Sequence, residues 1–379
     1  MAALPTLPAE VRRILDIARA DAAAATRELE ALPLEAQVAL VCSAPIGRRA
    51  ELLGLTPFPE HVIPEIPEAE LCFTAKAIGL ADASWLLEYA TPEQVVACVD
   101  LDGWSGLEPD RESIDTWIDA LAETSSQSFL RSVLALDTEI IVLYLRNRVV
   151  VEQKPDEKEG WDPPEGGQTI EGQFYFVALN ENDDLTSISK MLRDLFTQDY
   201  WTYFRLMQGA MWELDSTEEE WALRWRTGRL QDLGFPPWDE AMSIYRFVDV
   251  GDWATIPEGV QPLNIGEWHL PQWIPELPAA ANSQHLIFRT IPLLEDQERR
   301  SAFYAFIAIA NKVAVADRMK LSDAEFTPRA IEKAALLISA GLESIASAHK
   351  TPAIGILRRV PMERLFRVGA NIHRDRARA

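Results

Sequence analysis

The feature of this sequence that most constrains its fold is a helix-start signal that recurs at short intervals. It opens the segments LPLEAQVALV (32–41), IPEAELCFTA (66–75) and TPEQVVACV (91–99), in which a glutamate closely follows a proline. Proline suits a first helical turn because the N–H groups there have no intrahelical acceptor, and the carboxylate complements the positive end of the helix dipole. Thr91 adds a hydroxyl that can cap its helix. The pattern predicts a series of short helices.

Helices this short cannot bury an apolar face alone, so each has to stack on its neighbours. The three starts are 34 and 25 residues apart, which makes the array degenerate rather than strictly periodic. Strong helix formers fill most of the chain up to about residue 149. We therefore predict an N-terminal α-superhelix over residues 1–151.

The pattern changes over residues 152–180, which we predict to be an acidic linker with a short strand. Residues 152–172 combine proline, glycine and charge without a periodic apolar pattern. QFYFVAL (173–179) is aromatic and β-branched, and RVVVEQ (148–153) is a suitable partner for it in a small antiparallel ribbon.

Helical patterns resume after this linker and define a third region, residues 181–379. They include 185–214, 216–234 with Ser216 or Thr217 as its cap, and 283–348, whereas the Pro- and Trp-rich residues 251–280 predict an extended crossing segment. The predicted fold class is therefore mainly α: an N-terminal α-superhelix of short helices, a minor β-ribbon and a second α-helical domain.

Charge is distributed unevenly along the chain, whose net charge is −23. Residues 1–259 carry 47 acidic and 20 basic groups, a balance of −27, whereas residues 260–379 carry 12 and 16, a balance of +4. An acidic surface repels phosphate backbones and anionic lipid, so we do not expect a nucleic-acid partner. The same surface leaves open a response to Mg²⁺ or Ca²⁺.

Motifs that mark common active sites do not occur in the sequence. There is no GxSxG nucleophile elbow and no glycine-rich phosphate loop, and the five histidines form no HxxxH pair. Asp100, Asp102 and Gly103 resemble the start of a calcium loop, but the further ligands do not follow, so we favour a turn between helices. We predict no catalytic residue, no metal ligand and no cofactor.

The sequence also predicts a soluble, cytoplasmic bacterial protein. Cys42, Cys72 and Cys98 are sparse and far apart, as is typical of a reducing compartment. We expect no secretory signal, and the longest apolar run (302–310) is too short to span a bilayer.

Two groups of residues are candidates for binding a partner. Among twelve tryptophans, Trp221 and Trp225 are i, i+4 neighbours in an aromatic stretch (200–225) that also holds Trp201 and Trp212. This stretch predicts either an interaction surface or a core built from large rings, and we favour the core.

The second group lies in the basic tail (356–378), which carries seven arginines against two acidic residues. Its candidate partner-binding residues are Arg358, Arg359, Arg364 and Arg367. The tail has an apolar side, so it fits either a partner protein or anionic membrane surface, or docking on the chain itself. We favour docking, with HRDRARA (373–379) free in solvent.

The Pro-Glu starts, with SWLLEYATPEQVVACVDLDGW (84–104), resemble the short-helix units of the cytosolic N-terminal domain of bacterial magnesium channels. That domain is an α-superhelix similar to the armadillo-like modules of the flagellar motor switch, and the resemblance covers roughly residues 30–150. The order of parts also resembles an uncharacterised bacterial domain family of unknown function, with LGFPPWDEAMSIY (233–245) and RLFRVGANI (364–372) as recurring stretches. The resemblance implies no activity and no metal-binding residue.

From these observations we expect a non-enzymatic scaffold or adaptor that binds another protein through its superhelix or its basic tail. One alternative is a regulatory domain that responds to divalent cations. Another is a carboxylate-dependent enzyme whose site lies in the Trp-rich C-terminal half.

Overall fold

The computed structural model describes residues 7–155, 161–180, 183–248 and 284–378. These residues form twenty α-helices and two small antiparallel ribbons of two strands each, which confirms the predicted mainly α class. Among the same residues, no helix is both long and apolar enough to cross a membrane. The Pro- and Trp-rich segment predicted at 251–280 lies outside the described residues.

Eleven helices and a small hairpin make up the first part of the chain. The helices are α1 (Leu7–Ala20), α2 (Ala22–Glu30), α3 (Leu34–Ser43), α4 (Arg49–Leu55), α5 (Pro59–Val62), α6 (Glu68–Ile78), α7 (Ser84–Leu87), α8 (Pro92–Asp102), α9 (Arg111–Ala122), α10 (Ser126–Ala135) and α11 (Thr138–Arg148). Strands β1 (Trp104–Ser105) and β2 (Glu108–Pro109) pair between α8 and α9.

These helices pack in a regular order along the chain. Contacts join α1 to α3, α2 to α4, α4 to α6, α6 to α8, α8 to α10 and α9 to α11. Packing on the next-but-one neighbour buries faces that a single short helix leaves exposed, as expected for stacked helical units.

The start of α8 shows why the Pro-Glu segments form helices. The Thr91 hydroxyl accepts the Gln94 backbone N–H at 3.1 Å, and the Gln94 side chain accepts the Thr91 N–H at 2.8 Å. The prediction that Thr91 caps this helix is confirmed. The Gln94 amide also donates to the carbonyl oxygens of Ile63 and Ile66, at 2.9 and 2.7 Å, so one cap ties α8 to the turn before α6.

The predicted ribbon is also confirmed. Strand β3 (Val149–Gln153) pairs antiparallel with β4 (Phe174–Ala178), with Val151 opposite Phe176. Gln168, in the stretch predicted to be a linker, exchanges two backbone hydrogen bonds of 2.9 Å with Phe176. Part of this stretch therefore folds back along the ribbon.

Nine further helices follow the ribbon. They are α12 (Thr186–Gln198), α13 (Tyr200–Trp212), α14 (Asp215–Asp232), α15 (Trp238–Met242), α16 (Leu286–Thr290), α17 (Asp296–Ala316), α18 (Phe326–His349), α19 (Ala353–Leu357) and α20 (Met362–Arg378). The described residues form two compact units, with the boundary between Arg226 and Thr227, within α14. The division at residues 151 and 180 stays a prediction.

Two predicted helix boundaries were wrong. Residues 185–214 form two helices because Asp199 adopts an extended backbone (φ −145°) and accepts the Thr202 N–H at 3.2 Å, which starts a new helix. The following helix begins at Asp215, before the expected caps Ser216 and Thr217.

The core of the second unit includes a close crossing of α18 and α20. Gly341 on α18 meets Gly369 on α20, and a Cβ atom on either residue would overlap the backbone of the opposite helix, at Leu365 and Leu337 respectively. The crossing is therefore possible only with glycine at both positions.

Candidate interaction surface

The structure places most of the large aromatic side chains of 200–225 on the surface. The buried stripe of α13 consists of Tyr203, Leu206, Met207 and Ala210. Trp201 and Trp212 are 76% and 70% exposed, because a helix of 3.6 residues per turn places them opposite Tyr203. The favoured interpretation as a core of large rings is wrong for these tryptophans, and it is correct for Tyr203.

Two further tryptophans form the surface that we call the α14 aromatic face: Trp221, Arg224 and Trp225. The two indole rings stack with centroids 6.1 Å apart and planes 26° apart, and they are 43% and 48% exposed. The Arg224 guanidinium lies 5.2 Å from the centre of the Trp221 ring. Within the described part of the chain, neither indole N–H has a hydrogen-bond acceptor. The rings are therefore held by each other and by Arg224.

Ion pairs at its N-terminal end fix α14 against the helices of the first unit. Arg111, on α9, lies 2.8 Å from carboxylate oxygens of both Asp215 and Glu219. Arg146, on α11, approaches Asp215 to 2.6 Å. The hydrogen bond from Arg111, with the charge of Arg146, lowers the pKa of Asp215, so this carboxylate stays ionised at neutral pH.

Arg226 forms the other end of this attachment, one turn beyond Ala222 on the inner side of α14. Its Nε donates to the carbonyl oxygen of Asp100 at 2.8 Å, and its guanidinium lies 4.9 Å from the centre of the Trp104 ring. Ala222 is fully buried between the two ends of the attachment. The inner side of α14 is therefore anchored, which directs the α14 aromatic face outward.

The glutamates at and just before the N-terminal half of α14 are in different states. Glu218 is buried, and its burial, together with the nearby charges of Glu139 and Glu213, raises the pKa of its carboxyl group. Glu213 and Glu220 are exposed, and neither makes an ion pair in the described part of the chain. Glu213 and Glu220 are therefore two glutamates without an ion-pair partner among the described residues near this helix, whereas the charged side chain in contact with the rings is that of Arg224.

The basic tail is docked within the second unit. Leu365, Phe366 and Val368 are buried, and α20 packs along α18, which is the docked alternative favoured from the sequence. The final residues are not all free as expected, because α20 continues to Arg378 and Arg374 donates to the Tyr245 carbonyl oxygen at 3.1 Å.

The four candidate arginines of the tail have different surroundings. Arg358 lies 2.9 Å from Glu298, and Arg367 pairs with Glu363 one turn away on the same helix. Arg359 is exposed and Arg364 is half-buried. The structure thus brings Trp221 and Trp225 together in the first unit, whereas Arg358 and Arg367 of the second unit pair with two different glutamates.

Asp100 and Asp102 lie in the last turn of α8, so the turn expected from these residues begins only at Gly103. Asp102 is buried, pairs with Lys76 and accepts the Trp117 indole N–H at 3.0 Å. Across the described residues, no three His, Cys, Asp or Glu side chains are placed to hold a metal ion. No local signal could have identified Lys76 and Trp117 as partners, because they lie 26 and 15 residues from Asp102 along the chain.

The described helices and the outward aromatic face define a mainly α-helical protein of stacked short helices. The chain belongs to the family of unknown function DUF6178, whose model matches residues 26–377. The comparisons with curated proteins and with solved structures each gave no match. The family match confirms the predicted resemblance to a domain family of unknown function, whereas the resemblance to magnesium channels stays a prediction.

Proposed function

We propose that this chain is a scaffold or adaptor that binds another protein through the α14 aromatic face. The observation that carries the proposal is the pair of stacked, half-exposed indole rings of Trp221 and Trp225, whose N–H groups have no acceptor in the described residues. Tryptophan and arginine are the side chains that most often dominate the energy of protein interfaces. An exposed apolar patch of this kind is typical of an interaction site.

The arrangement of the first unit supports the same proposal. Helices that pack on their next-but-one neighbours are typical of armadillo-like arrays, which present extended surfaces to partner proteins. We place the scaffold in the cytoplasm because Cys42, Cys72 and Cys98 are all free thiols. The tail is the weaker candidate, since its apolar side is already buried.

Affinity capture with chemical cross-linking from native cells tests the proposal. The double variant Trp221→Ala/Trp225→Ala should lose at least about 90% of the captured partner, because loss of a single hot-spot residue costs roughly 2 kcal/mol or more. Trp85→Ala is the matched control, since Trp85 is a tryptophan of similar exposure (38%) on α7.

The control variant should capture the same partner as the wild-type chain, and circular dichroism should show that all three proteins are folded. Equal capture by the double variant and the wild type would overturn the proposal. Reproducible capture of no protein by the wild type would do the same.

A further inference from the structure

We propose that Cys72 and Cys98 form a disulfide when the chain is exposed to a peroxide, and that this bond links α6 covalently to α8. The inference concerns the first unit and does not depend on the α14 aromatic face. It rests on the contact between the two thiols, on the register in which the two helices pack and on the burial of the pair.

The two thiols are in direct contact. Cys72 lies on α6 and Cys98 lies on α8, and these two helices pack against each other. The two thiol groups are hydrogen-bonded to one another. A disulfide requires two sulfur atoms that approach each other from suitably placed Cβ atoms, and this contact brings the two sulfur atoms together from opposite helices.

The packing register of the two helices supports this contact independently. Lys76 on α6 pairs with Asp102 on α8. Cys72 precedes Lys76 by four residues, and Cys98 precedes Asp102 by four residues, so each cysteine lies about one turn before the ion pair on the same side of its helix. The two helices therefore run side by side in the same direction at this point, and the ion pair holds the cysteines in register.

Burial determines when the pair can react. Cys72 and Cys98 are both fully buried. Burial, together with the contact with Cys72 and the charge of Asp102, raises the pKa of Cys98. Because a protonated thiol is a poor nucleophile, the pair stays reduced while α6 and α8 are closed on each other. A peroxide reaches the sulfur atoms through transient local opening of these helices, so the rate of oxidation follows the frequency of opening.

The reaction consumes one peroxide molecule for each pair of thiols. One thiolate attacks a peroxide oxygen, the O–O bond breaks, and a sulfenic acid and water are formed. The second thiolate attacks the sulfenic sulfur, the S–O bond breaks, and a second water leaves as the S–S bond forms. Two thiols and one hydrogen peroxide thus give one disulfide and two waters. The neighbouring thiol converts the sulfenic acid before it is oxidised further.

Cys42, on α3, is a matched control within the same chain. It is also buried, and burial raises its pKa to about 12. The charged groups that act on it are those of Glu70 and Arg49. A reaction confined to Cys72 and Cys98 would therefore reflect the contact between the two thiols and not their burial.

Peptide mapping of the full chain after treatment with hydrogen peroxide and alkylation in denaturant tests the inference. We expect a peptide in which Cys72 is linked to Cys98, whereas Cys42 is alkylated. The melting temperature should rise by at least about 5 °C, because the bond joins positions 26 residues apart and restricts the unfolded chain. Dithiothreitol should reverse this rise.

Variants separate the bond from other effects of the oxidant. Cys42→Ala should keep the linked peptide and the rise in melting temperature. Cys72→Ala should lose both, and its treatment with peroxide controls for the oxidation of methionine, which dithiothreitol does not reverse.

Alkylation of all three cysteines after overnight treatment with excess hydrogen peroxide would overturn the inference. Conversion of Cys98 to a sulfinic acid in place of a disulfide would do the same, as would a disulfide that includes Cys42 or joins two chains. A melting temperature that falls when the Cys72–Cys98 bond forms would also contradict the proposal, because the bond would then disrupt the packing of α6 on α8.

Discussion

Gly341 and Gly369 show how single residues determine a helix contact in this protein. At their crossing, the backbones of α18 and α20 approach so closely that a Cβ atom on either glycine would overlap a carbonyl oxygen of the other helix. Neither glycine has a positive φ, so the requirement is for space and not for an unusual backbone conformation. The contact therefore depends on the absence of a side chain.

We predict that Gly369→Ala lowers the free energy of unfolding by about 3 kcal/mol, because the methyl group forces α18 and α20 apart. Gly228→Ala is the control, since a Cβ atom there would meet nothing within 4 Å on a helix. The free energy of unfolding of Gly228→Ala should be roughly 0.5–1 kcal/mol higher than that of the wild type, because alanine has a lower backbone entropy than glycine in the unfolded chain. Urea denaturation followed by circular dichroism measures both, and equal midpoints for Gly369→Ala and the wild type would contradict the prediction.

At the scale of single elements, the features that depend on neighbouring residues in the sequence were predicted correctly. The Thr91 cap of α8 and the pairing of β3 with β4 follow from residue type and alternation. The break at Asp199 was missed because an aspartate inside an apolar helical pattern is compatible with a continuous helix as well as with a new start.

The candidate site was predicted less well than the fold. Trp221 and Trp225 were identified as neighbours on one helix side, but their exposure was not, because indole rings are suited to cores and to interfaces alike. Which side of α14 faces inward depends on Arg111, Arg146 and Arg226, whose partners lie far away in the sequence. A periodic pattern carries no information about such long-range contacts.

Glu88, directly after α7, attaches that helix to the start of α10. Its carboxylate accepts the Ser125 N–H at 2.8 Å and the hydroxyls of Ser125 and Ser128 at 2.7 and 2.9 Å, at the start of α10. Burial raises the pKa of Glu88, but these hydrogen bonds together outweigh burial and lower it below the ordinary value. The ionised carboxylate therefore stabilises the folded state at neutral pH, and this stability is lost as the pH falls through the lowered pKa.

We expect Glu88→Gln to lower the free energy of unfolding by about 1 kcal/mol at pH 7. This difference in stability from the wild type should shrink as the pH falls below about 4. Glu60→Gln, at an exposed glutamate on α5, serves as the control. Urea midpoints measured between pH 7 and pH 3 test this expectation. A difference that stays constant across this range would show that the charge of Glu88 has no role.

At the scale of the whole molecule, the dominant property is its net charge of −23. Much of the acidic charge lies in residues 1–259, and many of the described carboxylates there are paired with arginine, as at Arg111 and Arg148. The remaining like charges repel one another, and salt screens this repulsion over about 10 Å at 0.1 M ionic strength.

We predict that the melting temperature rises by a few degrees between low salt and about 0.5 M NaCl, because screening weakens the repulsion between carboxylates. The same measurement in MgCl₂ at matched ionic strength separates this screening from a specific effect of Mg²⁺. Differential scanning calorimetry provides the measurement. A larger rise with Mg²⁺ than with Na⁺ would favour the alternative of a cation-responsive regulatory domain.

The glycine crossing also has a consequence for the order of events during synthesis. Gly341 is translated 28 residues before Gly369, a delay of about 1 to 6 seconds at roughly 5–20 residues per second. During this interval the side of α18 that α20 will cover has no partner, because Leu365 and Phe366, both fully buried in the finished fold, do not yet exist. The α18–α20 part of the core of the second unit can therefore form only after Leu365 and Phe366 have been translated, late in the synthesis of this unit.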